Sequence, residues 1–242
     1  MDMCERFTSF CSPRELQKHF EASLPSFEIL PNFNVAPTQQ ILAVTQQVNE
    51  RKIDRFHWGL VPFWAKDTSI GSKMINARLE TVASKPAFRS AFKQRRCLIP
   101  ANGFYEWQGK SGEKQPYFFF LPSKEPFAFA GLWEVWEDKN APSSAPYMSC
   151  TIITTSASES VSDVHDRMPL ILKPDTYSRW LNPEYKEPDF VLDILKKGAL
   201  TELERYPVSK LVNRVGNNRE QCMEPNNNLS LVRADASVIE PE

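Results

Sequence analysis

Four places in this chain set reactive or charged side chains where their surroundings give them something to do. Glu106 stands in Asn102-Gly-Phe-Tyr-Glu-Trp107, flanked by Tyr105 and Trp107. A carboxylate there either faces water from an edge strand or sits in a desolvated pocket, where burial raises its pKa and lets it carry a proton. His165, Asp166 and Arg167 form a charged cluster just ahead of the apolar run that begins at Met168. Asn76 and Arg78 interrupt the otherwise apolar text around Ile75, Ala77 and Leu79. Cys4 lies so near the start of the sequence that little chain flanks it on one side, a poor place for a core cysteine. A thiol, an imidazole and an amide or carboxylate are also the groups a cysteine peptidase combines as nucleophile, base and orienter. The competing reading makes Glu106 an edge-strand carboxylate and His165 a satisfied loop histidine.

A basic stretch adds a second kind of site. Between Lys73 and Arg96 the chain carries seven basic residues (73, 78, 85, 89, 93, 95 and 96) against the single acid Glu80. It reads either as a phosphate-binding strip, with Arg78 and Arg89 among its contacts, or as solvated surface balanced by acids elsewhere. The whole chain has 29 basic and 30 acidic residues. Near-neutral charge argues against coating nucleic acid with the entire surface but leaves a local groove open.

Other classes are set aside by composition. Five cysteines at 4, 11, 97, 150 and 222 are odd in number and form no Cys-x-x-Cys, which argues against a disulfide framework or a structural zinc site. Three histidines at 19, 57 and 165 would all be needed for a three-histidine metal site. No metal and no cofactor are expected, and most cysteines read as small buried apolar filler. No apolar run approaches the ~20 residues needed to cross a bilayer. The segment MDMCERFTSF holds Asp2 and Glu5 and lacks an apolar signal-peptide region. A cytoplasmic monomer is expected.

The elements that must position these residues are mostly strands. Ser12-Pro13 followed by Leu16 and Phe20 predicts a capped helix, and 86–94 repeats the proline-started pattern with Phe88 and Phe92 four apart. Strand-length runs of β-branched and aromatic residues occupy 41–45, 52–64, 97–101, 104–107, 116–122, 127–137 and 148–155. The stripes at 117–120 and 127–136 are expected to be core. Helices are predicted at 156–164, 174–181 and 188–196, the last closed by Gly198, and a loop at 138–146. Strands and helices interspersed this irregularly predict a mixed, mostly antiparallel α+β domain. One domain over 4–220 is expected, with a polar, acidic tail at 223–242.

Five segments in order, MCERF (3–7), WGLVPFWAKD (58–67), NARLET (76–81), RCLIPANGFYEW (96–107) and HDRMP (165–169), resemble the SRAP family, the SOS-response-associated peptidase domain. Together they span nearly the whole chain. The resemblance implies an α+β domain with a barrel-like, mostly antiparallel core and peripheral helices, and a basic groove leading single-stranded DNA to the active site. It implies processing of abasic sites in the DNA damage response, with Cys4 as catalytic cysteine once methionine is removed. Asn76 and Arg78 are then the residues that hold the lesion and its phosphates, Glu106 and His165 the remaining catalytic residues, and Arg6 a contact to DNA backbone. Pro37 and Trp64 fall in segments that border the groove.

The chemistry fits an amino-terminal cysteine. An abasic site exposes an aldehyde when its sugar opens. A terminal cysteine offers an amine of pKa ~7.7–8 and a thiol of pKa ~8.5 on adjacent carbons. The amine condenses with the aldehyde to a Schiff base, and the thiolate closes a thiazolidine on the same carbon. Glu106 and His165 are suited to the proton transfers, Asn76 to the amine or a sugar hydroxyl, and Arg78 to a phosphate. The lesion lacks a base, so exposing it costs little stacking.

Two departures from the family's usual start are visible. Glu5 stands where the family has glycine, adding a charge beside the cysteine and removing torsional freedom. Met1-Asp2 precede Met3, and a chain retaining them has an amide rather than an amine at Cys4. Initiation at Met3 is the expected route to the free amine, and self-cleavage before Cys4 the alternative. The rival functions are a cysteine-type peptidase or autopeptidase and a non-covalent binder of single-stranded DNA.

Overall fold

A computed structural model describes residues 5–110, 113–141 and 143–226. Cys4 and the stretch 227–242, most of the expected tail, lie outside the described residues. The chain opens with strand β1 (Arg6–Ser9), which leads into helix α1 (Pro13–Phe20). The Ser12 side chain accepts the Glu15 amide while Glu15 accepts the Ser12 amide, and Pro13 fills the first turn. Leu16 and Phe20 are buried as their spacing predicts.

Eight strands follow before the next long loop: β2 (Ala22–Ser23), β3 (Asn32–Val35), β4 (Gln40–Gln46), β5 (Arg51–Trp58), β6 (Asn76–Arg78), β7 (Arg96–Ala101), β8 (Gly103–Gln108) and β9 (Gln115–Phe120). Helix α2 (Arg89–Gln94) lies between β6 and β7. Beyond β9 come β10 (Phe127–Trp136), β11 (Tyr147–Ser156), β12 (Arg167–Pro169) and β13 (Ile171–Leu172). Helices α3 (Tyr177–Leu181) and α4 (Pro188–Gly198) precede the last strands, β14 (Ala199–Leu200) and β15 (Glu204–Pro207).

Five of these strands close a ring. β5 pairs with β4, β4 with β7, β7 with β10 and β10 with β11, all antiparallel; β11 then returns to β5 in parallel through Ser149↔His57 and Cys150↔Trp58. A second sheet, in the order β15-β9-β8-β1-β3, is antiparallel throughout. The α+β class with a barrel core and surrounding helices is therefore as expected.

Strand alternation sorts the core into layers. Phe7, Phe104 and Phe119 of the second sheet pack with Phe56, Trp58, Ile99, Phe127 and Phe129 of the ring. The opposite face of the ring meets the helices through Val44, Ile53, Leu98 and Leu132 against Phe20, Phe92, Trp180 and Leu195. A third cluster, Tyr105, Phe118, Phe120, Val208 and Val212, covers the outer face of the second sheet. The aromatic stripes are core, and Cys11, Cys97, Cys150 and Cys222 are buried free thiols.

Some local expectations are corrected. The helix predicted at 156–164 is a series of turns. Val161 and Ser162 amides both bond the Ser158 carbonyl, while Ser158, Ser160 and Ser162 spend their hydroxyls on local or cross-loop partners, which competes with helix. The strand expected to run to 64 stops at Trp58. Gly59 adopts φ +143°, where a Cβ would meet the Gly71 carbonyl oxygen at 2.5 Å, so the chain turns there. The helix predicted from 86 starts only at Arg89, and that at 174–181 begins with a 3-10 turn over Pro174–Thr176. Order also continues past Cys222: Pro225 bridges Val208, and the Asn226 amide donates to the Pro207 carbonyl.

Candidate functional site

The strand order brings Glu106 and His165 together. Glu106 is on β8, central in the second sheet, opposite Tyr117 of β9, and is nearly fully buried. It is a carboxylate in the interior rather than on an exposed edge. His165 ends the turn region before β12, and its Nδ1 lies 4.0 Å from Glu106 Oε2 and 3.5 Å from Asp166 Oδ1. The Arg167 amide is 3.1 Å from the same nitrogen and the Arg167 carbonyl 3.0 Å away. Nδ1 can therefore accept from the amide in the neutral ring or donate to the carbonyl in the protonated one. The main chain holds the imidazole in either state, which suits a group that passes a proton.

Asn76 and Arg78 come from β6, which pairs in parallel with β11 through Ile152↔Asn76 and Thr154↔Arg78. The three-residue strand buries Asn76 and leaves the Arg78 side chain exposed. Thr154 is the hinge of this corner. Its carbonyl accepts from the Leu79 amide, and also from Arg167 Nη2 at 2.9 Å. Arg167 in turn grips Glu80 with both guanidinium nitrogens, at 2.7 and 3.0 Å. That fork holds the Glu80 carboxyl below the usual carboxylate range, chiefly by the hydrogen bond from Arg167. The segments at 76–81 and 165–169 are thus tied into one wall, although far apart in sequence. Neither Glu80 nor Arg167 was among the predicted site residues. The signals available were Glu80 as the only acid in the basic stretch and Arg167 within the charged cluster.

Arg6 is placed beside the site by β1, where it stands opposite Tyr105. Its guanidinium donates to Asn34 Oδ1 at 3.0 Å and to the carbonyls of Val212 and Asn213 at 2.8 and 3.4 Å. Burial lowers its pKa, with Glu5 the largest opposing influence. Trp107 Nε1 donates to Asn213 Oδ1 at 2.8 Å, so Arg6 and Trp107 together fasten the 210–213 turn to the second sheet. Cys4 immediately precedes the described chain at Glu5 and is outside it.

Residues 58–67 divide by exposure. Trp58 to Pro62 are buried, with Trp58 Nε1 donating to the Ile75 carbonyl at 2.8 Å, whereas Phe63 and Trp64 are 53% and 47% exposed. The Thr38 amide donates to the Trp58 carbonyl, which sets the half-buried Pro37 turn against the start of this segment. Two large aromatics left half in water on an ordered turn form a surface on which a flat ring can stack.

The basic residues of the stretch differ in burial and partners. Arg95 donates to Glu134 Oε2 at 2.7 Å and to Ser90 Oγ at 3.0 Å. Arg96 is buried and bonds only main-chain carbonyls, those of Phe92 and Lys93 at the end of α2 and of Trp180 and Asn182 at the end of α3. Burial lowers its pKa to about 10, still far above neutrality. Lys73, Arg78, Lys85, Arg89 and Lys93 remain exposed. Among the described residues, no group of three histidine, cysteine or acidic side chains is placed to hold a metal, and no helix is long and apolar enough to cross a membrane.

A five-strand ring with a second sheet against it, and a buried carboxylate facing an imidazole at the second sheet's inner face, defines the class. The chain belongs to the SRAP family, described as SOS response associated peptidase (SRAP), which it matches over residues 3–215. It is 43% identical over 225 residues to the abasic site processing protein YoqW of Bacillus subtilis, covering 92% of this chain and 99% of that one. It is 33% identical over 200 residues to the abasic site processing protein HMCES of Gallus gallus, covering 73% of this chain and 58% of the relative. Among solved structures, a protein from Bacteroides thetaiotaomicron superposes with a TM-score of 0.79 at 22% identity, covering 92% of this chain and 99% of that one, which is a likeness of fold.

Proposed function

We propose that this protein processes abasic sites in single-stranded DNA by forming a covalent DNA–protein crosslink through Cys4. The observation that carries the reading is the Glu106–His165 pair, 4.0 Å apart beside strand β1, which the chain enters two residues after Cys4. The relatives' shared description as abasic site processing proteins, over nearly the full chain in YoqW, supports the substrate. The family match begins at Met3, so that Cys4 is the second residue of the matched unit.

In the reaction the ring-opened sugar presents its C1′ aldehyde to the free amine of Cys4. The amine adds to the carbonyl carbon, and loss of water leaves an imine. The Cys4 thiolate then adds to the same carbon, closing a thiazolidine and returning a proton to nitrogen. Aminothiol and aldehyde give thiazolidine and one water, with no change in oxidation state. Glu106 takes and returns protons as the sugar opens and the carbinolamine dehydrates, and His165 protonates the departing oxygen. Asn76 orients the amine or a sugar hydroxyl, while Arg78, Arg6 and Arg89 contact phosphates and Trp64 and Pro37 border the strand.

The decisive experiment is intact mass of the protein with and without a single-stranded oligonucleotide carrying one abasic site. The expected product has the summed mass less one water, and Cys4→Ala abolishes it. An adduct that persists in Cys4→Ala overturns the assignment of the nucleophile, and the lack of any adduct in the parent overturns the function. The family's description as a peptidase supports a second reading, thiol-dependent cleavage, which predicts release of peptide from an unrelated protein substrate without DNA.

A further inference from the structure

Resting on the reading of Glu106 and His165 as a proton-transfer pair, we infer that Asp163, Arg205 and Gln108 are positioning residues that set the spacing between them. His165 ends a stretch of turns rather than a helix or strand. Side chains on such segments are placed only as well as the segment is tied down, and an error of about 1 Å in a reacting pair costs up to ~10²-fold in rate.

The tie runs between the supports of the two groups. Gln108 is two residues beyond Glu106 on β8, on the same face of the sheet, and its Nε2 donates to the Asp163 carbonyl at 2.9 Å. Asp163 is two residues before His165. The strand that holds the carboxylate therefore also holds the root of the loop that carries the imidazole. Arg205, on β15, completes the clasp. Its two terminal nitrogens fork the Asp163 carboxylate, and Nη1 also donates to the Ser160 carbonyl at 2.7 Å. The guanidinium lies near the rings of Tyr117 and Phe119, 5.7 and 5.8 Å from their centroids. Tyr117 is the cross-strand partner of Glu106. Within the loop, the His165 amide donates to the Val161 carbonyl at 3.0 Å and the Ala157 amide to the Asp166 carbonyl at 3.0 Å.

This clasp controls geometry more than stability. Asp163 is 53% exposed, and an exposed ion pair contributes about 0–1 kcal/mol. The planar fork nevertheless fixes direction, which a lysine at the same place cannot do.

The test measures the rate of adduct formation at saturating abasic oligonucleotide for the parent, Asp163→Asn, Gln108→Ala and Arg205→Lys. Each is also made in a His165→Ala background. The expected result is a loss of about tenfold or more in each single variant, with affinity for intact single-stranded DNA and thermal stability close to the parent's. In the His165→Ala background, Asp163→Asn and Gln108→Ala are expected to cost nothing further, because residues that act through one group are not additive. Single variants that react at the parent's rate overturn the inference. So does the same fold-loss with and without His165, since the clasp then acts through the fold in general. His165→Ala at full rate removes the inference while leaving the crosslinking function standing. A parent that forms no adduct removes the functional reading, and this inference with it.

Discussion

Glu106 and His165 face one another at 4.0 Å although one is delivered by the middle of a sheet and the other by a loop. Glu106→Gln keeps the side chain's size but replaces the carboxylate, with its two acceptor oxygens, by a neutral amide that cannot take up a proton. It is expected to slow adduct formation by roughly 10²-fold, the usual range for general acid–base groups being about 10²–10⁴. His165→Ala is expected to slow both formation and reversal, because both directions cross the same imine. Rates equal to the parent's in both variants between pH 5 and 8 make the two residues structural.

The Glu80–Arg167 fork makes a prediction with a definite sign in pH. Glu80 is held below its ordinary value, so its contribution is complete above about pH 4.3 and is lost as pH falls through the folded value. Glu80 is half exposed, which keeps the thermodynamic effect below about 1 kcal/mol. Glu80→Gln is expected to shift the melting temperature little at pH 7, while slowing adduct formation by freeing Arg167 next to His165. Thermal melts and rates at pH 7 check both halves. A normal rate in Glu80→Gln means that the wall needs only the Thr154 contacts.

The fold was legible where local chemistry decides it. The Ser12 cap, the buried pair Leu16 and Phe20, and the aromatic strands follow from residue type and spacing. Closure of the ring was not legible, because it depends on two parallel residue pairs between β5 and β11, a contact with no local signature. The helix predicted at 156–164 is instead a series of turns, where serine side chains bond local or cross-loop partners in competition with helix. In the site, the types of Glu106, His165, Asn76 and Arg78 stood out against apolar text, but their partners did not. Asp163, Arg205 and Gln108 are ordinary polar residues until the sheets bring them together. Within the basic stretch, the inward turn of Arg96 was not legible for a related reason: strand pairing points it onto helix carbonyls that sequence does not reveal.

Arg96 carries a stability prediction of its own. Arg96→Met keeps much of the volume but leaves four main-chain carbonyls at two helix ends without their donor. Leaving a buried acceptor unsatisfied costs about 1–3 kcal/mol, so a loss of about 3–5 kcal/mol is expected, which for a chain of this size lowers the melting temperature by roughly 6–20 °C. Arg89→Ala, exposed on α2, is expected to stay within about 0.5 kcal/mol of the parent. Comparable losses in the two variants overturn the distinction drawn between them.

His19 and His57 both have pKa values lowered by burial, with Glu125 opposing the shift at His19. Both are neutral in folded and unfolded chains well above the ordinary value of about 6.5. As pH falls below that, the unfolded chain takes up protons first, so stability declines until the folded values are passed. The melting temperature is expected to fall from pH 7.5 to 5, and less so in the His19→Gln, His57→Gln double variant. An unchanged slope in that variant places the acid sensitivity elsewhere.

Arg78 and Trp64 would hold DNA by different physics, and salt separates them. Arg78 is exposed on β6 beside Thr154, and a phosphate contact there releases a counterion from the strand. Arg78→Ala is therefore expected to weaken binding of a single-stranded oligonucleotide and to reduce the slope of log K against log salt by about 0.7. Arg89→Ala should act in the same sense and less strongly, since Arg89 lies on α2, outside the wall formed by 76–81 and 165–169. Trp64 is 47% exposed, next to Phe63 at 53%. Stacking of a base on such a ring is worth about 1–3 kcal/mol and releases no counterion. Trp64→Ala should thus lower affinity by about 5- to 150-fold at every salt concentration and leave the slope intact. Titrations of one oligonucleotide at several salt concentrations give both quantities for each variant. A slope that falls in Trp64→Ala, or one that holds in Arg78→Ala, would reverse the roles given to these two residues.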